Sequence, residues 1–83
     1  MRLNVDGLEP NPSGEFYEVW LLGEDGNMIA LGSFRVGEEG KRTVELPLPV
    51  DPATFDYFDV SIESEKGGPE HSGRSVLRGL TAY

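Results

Sequence analysis

The single histidine of this 83-residue chain, His71, stands directly before Ser72, and that pair is the first place to look for nucleophilic chemistry. A serine nucleophile needs an adjacent base and a third group that orients it. No G-x-S-x-G elbow accompanies the pair, so His71 and Ser72 read as solvated loop side chains. Gly37-Glu38-Glu39-Gly40-Lys41-Arg42-Thr43 has the outline of a phosphate-cradling loop. That pattern requires Gly where Arg35 stands and Ser or Thr where Arg42 stands. Two acids inside the loop would also repel a phosphate. Calcium prefers hard oxygen ligands, which Asp51, Asp56 and Asp59, or Glu24 and Asp25 beside Asn27, supply. Neither set has the spacing of an EF-hand loop, and both read as solubilising acids. Asn11-Pro12-Ser13 carries the proline that excludes glycosylation. Glycoside hydrolysis would need two carboxylates facing across a cleft. Fifteen acidic residues supply such pairs by chance, so none is singled out. No catalytic residue, metal or other cofactor is expected.

Aromatic side chains and loop residues are the remaining candidates, and they point to binding. Tyr17 and Trp20 fall on opposite faces of one alternating run, so one ring is expected in the core and the other outside. Candidate partner contacts are whichever of Tyr17 and Trp20 lies out, together with the loop Gly67-Gly68-Pro69-Glu70-His71. Unpaired strand edges offer a second route for a partner.

The elements that must position these residues are strands. Eleven Gly and six Pro, about a fifth of the chain, interrupt it too often for a helix of ordinary length. Between them, 2–8, 15–22, 28–34, 42–48, 57–64 and 74–80 read as strands. Leu3 and Val5 share a face, as do Tyr17, Val19 and Leu21. Val44, Leu46 and Leu48 point inward. In the fifth run Phe58, Val60 and Ile62 point inward, leaving Tyr57, Asp59, Ser61 and Glu63 to solvent. Asp25-Gly26 predicts a hairpin turn, and 51–54 predicts one helical turn. Pro47 and Pro49 place the end of the fourth strand at an edge or outside the sheet. The fold class is all-β: a small antiparallel β-sandwich, immunoglobulin-like, with about six to seven strands, forming one domain over 1–83.

Charge narrows the partners. Fifteen Asp and Glu against seven Lys and Arg give a net charge of −8. Nucleic acids require cations that displace phosphate counterions, so they are excluded as partners, and anionic membrane surfaces are repelled. No cysteine is present for a disulfide or thiolate. The longest apolar run, Val19 to Leu22, is far short of a membrane helix. No signal peptide opens the chain, which is expected to be soluble as written.

Several motifs in fixed order resemble one family. Tyr17-Glu18-Val19-Trp20-Leu21-Leu22, Asp25-Gly26 and Leu31-Gly32-Ser33-Phe34 resemble the opening hairpin of the C-terminal domain of anti-sigma-K factors. Gly7-Leu8-Glu9-Pro10 is similar to that family's lead-in. Phe58 to Glu63, followed by Lys66-Gly67-Gly68-Pro69 and Ser72-Gly73, is similar to its later strand and return. Ser64 and Glu65 stand where the family pattern places proline. Family members carry a cytoplasmic sigma-binding segment and one membrane helix ahead of this domain. By that resemblance the 83 residues correspond to the extracytoplasmic module. The resemblance implies regulation: the outer domain governs whether proteases cut the protein and free the sigma factor. Its implied partner is a protein or protease outside the cytoplasm, and it supplies no catalytic residues. The alternative reading is a carbohydrate- or calcium-binding sandwich module.

Overall fold

The computed structural model describes residues 2–23, 26–47, 57–68 and 70–80. Six strands appear in the expected order: β1 (Arg2–Asp6), β2 (Glu15–Leu22), β3 (Met28–Phe34), β4 (Lys41–Glu45), β5 (Tyr57–Ser64) and β6 (Ser75–Leu80). No helix occurs among the described residues. The expected helical turn at 51–54, together with Leu48 and Pro49, lies outside them.

All pairings are antiparallel and fall into two sheets, β1-β4 and β3-β2-β5-β6. The β2–β3 hairpin closes where it was anticipated. Gly23 and Asn27 are joined through N–H to carbonyl at 2.9 Å, and Gly26 takes a φ of 83°, a conformation that an L side chain resists.

Alternation decides which residues meet in the core. Leu3 and Val5 of β1, Tyr17, Val19 and Leu21 of β2, and Val60 of β5 are buried together with Leu31, Phe34, Val36 and Leu46. One core therefore draws on both sheets. Val44, Phe58 and Ile62 pack against it from partly buried positions. Pro47 lies beyond the end of β4, in keeping with its missing donor.

Close packing imposes two local demands. Ladder partners run from Val19↔Gly32 to Trp20↔Ala30, so Leu31 is an extra residue in a bulge and turns into the core. At Gly32 a Cβ would sit 2.9 Å from the Leu46 methyl, which keeps this position free of a side chain.

Tyr17 and Trp20 do occupy opposite faces of β2, but neither lies out. Both are buried. Tyr17 sits in the core beside Phe34, ring centroids 5.4 Å apart, and its hydroxyl donates to the Glu9 carbonyl at 2.7 Å. Trp20 is covered on the other face of the sheet. That face departs most from expectation. Asp59 and Ser61 have no exposure and Glu63 only 7%, where the alternation of β5 placed all three in solvent.

Candidate functional site

The β2–β5 register sets Phe16 opposite Glu63, Glu18 opposite Ser61 and Trp20 opposite Asp59. These pairs share the face of the four-stranded sheet that points away from the core. A strand ladder alone would leave this face wet. The connection 65–74 between β5 and β6 covers part of it and is held there by two hydrogen-bonded clusters.

In the first cluster the Trp20 indole N–H donates to Ser61 Oγ at 3.0 Å. The Ser61 hydroxyl donates onward to Glu63 Oε2 at 2.5 Å. The Ser72 amide donates to the same carboxylate oxygen at 3.1 Å, and the Ser72 hydroxyl donates to the Ile62 carbonyl at 2.6 Å. Burial alone pushes the Glu63 pKa up. The hydrogen bonds from Ser61 and Ser72 outweigh it and hold the carboxyl below the usual range. Glu63 is therefore an anion, nearly covered by the loop and reaching solvent only at the cleft beside it.

The second cluster centres on His71, whose ring lies 5.2 Å from that of Trp20. The Gly73 amide donates to Nδ1 at 2.8 Å, which leaves the ring proton on Nε2 to donate to Asp59 Oδ2 at 2.6 Å. The Ser75 hydroxyl donates to the same Asp59 oxygen at 2.9 Å and lies 3.5 Å from Nε2. Asp, His and Ser thus meet with the residue types of a triad but different wiring. A catalytic imidazole takes the aspartate on one nitrogen and the serine on the other. Here Asp59 and Ser75 crowd one nitrogen while a backbone amide occupies the second. No ring nitrogen is left to accept the serine proton, so the trio clasps the loop to the sheet.

Beside the clasp a cleft of about 280 Å³ opens, lined by Phe16, Glu18, Trp20, Ser33, Glu63 and Gly68. Burial, followed by the Glu63 charge, raises the Glu18 pKa above its ordinary value. On the core side, burial and then the charges of Glu9 and Glu15 raise that of Tyr17.

The structure thus gathers Trp20, Gly68 and His71 and sets Tyr17 apart in the core. Gly67, Gly68 and Glu70 are exposed; Pro69 lies outside the described residues. Sequence reading passed over Asp59, Ser61, Glu63, Ser72 and Ser75 as a set. The one available signal was small or acidic residues at every second place of β5, in the strand next to a tryptophan. Of the acidic sets weighed and set aside for calcium, Glu24, Asp25, Asp51 and Asp56 lie outside the described residues, Asn27 accepts from Gly23 through its carbonyl, and Asp59 bonds His71 and Ser75. Among the described residues no group of three or more acidic or histidine side chains is placed to hold a metal. Nor is any helix there long and apolar enough to cross a membrane.

Two small antiparallel sheets on one core, with a polar clasp on the outer face, define a small all-β domain. The model of the anti-sigma-K factor RskA C-terminal family matches residues 1–75, and the chain belongs to that family. No curated protein and no solved structure matches it. The family is the C-terminal domain of anti-sigma factors, which are regulatory, typically non-catalytic proteins whose partners include a sigma factor.

Proposed function

We propose that this chain is the extracytoplasmic regulatory domain of a membrane-tethered anti-sigma factor, and that its folded state controls where proteases cut and hence when the sigma factor is freed. The two sheets are read as halves of an immunoglobulin-like sandwich acting as one domain over 1–83. The carrying observation is the clasp. Strands β5 and β6 and their connection are held by hydrogen bonds onto the buried side chains of Asp59, Ser61 and Glu63. Opening this segment to a protease means breaking both clusters together, which makes exposure a two-state event. A partner that prefers one state shifts that population by its difference in affinity. The contact surface is the outer part of the connection, Gly67, Gly68, Glu70 and His71, with Trp20 beneath it; Tyr17 supports it only through the core.

The test is made in cells. The native protein is compared with a variant whose domain cannot fold (Leu21→Asp) and with one lacking the domain. Cleavage products and sigma-dependent transcription are measured together. A several-fold change in both is expected. Cutting and transcription that proceed as in the native protein overturn the proposal.

A further inference from the structure

We infer that the cleft on the outer face of the four-stranded sheet is a receptor for one arginine side chain, carried by an extended segment of a protein partner. This names the chemistry of the partner in the regulatory reading above, but it is decided by binding in solution rather than by cleavage in cells.

The cleft combines a charge and a shape. Glu18 is half-buried and has no hydrogen-bond or ion-pair partner among the described residues. Glu63 is ionised beneath the clasp, and among the described residues no lysine or arginine lines the walls. Two carboxylates beside low-dielectric walls repel each other until a cation enters. Half-buried Phe16 supplies aromatic surface next to them, with the edge of buried Trp20 at the floor, and a guanidinium both forks onto a carboxylate and stacks on a ring. A volume of about 280 Å³ falls just under the range of drug-sized ligand pockets. It suits one long side chain.

Other occupants fit less well. Calcium wants six to eight oxygens, and this cleft offers two carboxylates and one hydroxyl among aromatic walls. A lysine ammonium keeps its hydration more strongly and cannot fork. An extended segment fits because Ser33 belongs to β3, an edge strand of its sheet, whose outer edge pairs with no strand among the described residues and can align a second backbone. The overall charge of −8 draws basic segments in.

Trp20 is the only tryptophan and lines the cleft, so its fluorescence reports occupancy. The 83-residue chain is titrated with the peptide Gly-Ser-Arg-Ser-Gly and with versions carrying Lys or Gln in place of Arg. The Arg peptide is expected to give a saturable change that weakens with salt; the Lys peptide binds more weakly, and the Gln peptide gives none. Glu18→Gln keeps the shape and removes the charge. It should weaken the Arg peptide roughly tenfold, equivalent to about 1.4 kcal/mol. Ionised Glu18 opposes folding, since its pKa is raised in the native state, so this variant should melt no lower than native. Ser33→Lys places a cation in the cleft and should abolish binding. No saturable change with the Arg peptide, equal binding of the Lys or Gln peptide, or indifference to either variant overturns the inference.

Discussion

Replacing Ser61 by alanine removes one oxygen atom from a position with no solvent exposure and tests the clasp directly. That oxygen accepts from the Trp20 indole at 3.0 Å and donates to Glu63 at 2.5 Å. A hydrogen bond to a charged group contributes about 1.5–3 kcal/mol, and a buried donor left unpaired costs about 1–3 kcal/mol. The two losses share an atom and do not add fully, so about 3 kcal/mol is expected. A domain of this length is stabilised by roughly 4–12 kcal/mol in total, and each kcal/mol moves its melting temperature by about 4–8 °C. Thermal melting of Ser61→Ala at neutral pH should therefore fall by about 12–24 °C.

The pH dependence supplies an independent reading. Glu63 has a depressed native pKa, so its contribution is present above the unfolded-state value near 4.3 and is lost as pH falls through the native value. Without the Ser61 hydroxyl that depression shrinks, and so does the loss in acid. The gap between native and variant should thus narrow as the pH is lowered from 6 towards 2. A loss under about 1 kcal/mol at neutral pH, or a gap unchanged in acid, refutes the assignment of the clasp to this network.

Further perturbations separate the other contributions. His71→Ala removes the ring that bonds Asp59 at 2.6 Å and packs on Trp20, and should cost about 1–3 kcal/mol in chemical denaturation. Gly32→Val drives a side chain into the Leu46 methyl, an overpacking expected to cost about 1–3 kcal/mol. Combining it with Leu46→Ala should reveal a coupling energy rather than the sum of the two single losses. Glu45→Gln breaks the 2.6 Å pair with Arg2 and should leave the melting temperature nearly unchanged, because both side chains are more than 60% exposed.

Much of the fold was legible in the order of residues. Alternating apolar side chains between glycines and prolines located all six strands, and the pairing of Leu3 with Val5 and of Tyr17 with Val19 and Leu21 identified a core face that the structure retains. The β2–β3 hairpin with its left-handed Gly26 and the end of β4 before Pro47 were legible for the same reason: each depends on local backbone preference. Bulges were not. Leu31 in β3 and the register shift between Val60 and Ser61 on β5 arise from how two strands pack side by side, which a single strand does not encode.

The candidate site shows where that local reading ends. A period of two says that Asp59, Ser61 and Glu63 share a face; it does not say what covers the face. Solvent was the natural expectation for acids and a serine. The cover comes from residues further along, His71 and Ser72, brought back over β5 by the turn into β6, with Ser75 of the neighbouring strand bonding Asp59 from the side. The order of residues by itself therefore determined an acidic all-β chain of a recognisable family and the inner face of its strands. Tertiary structure alone decided that the outer face is half covered, that Trp20 is inside rather than out, and that the only imidazole is engaged at both nitrogens. Side-chain alternation is a property of one strand, whereas burial is a property of whatever folds on top of it.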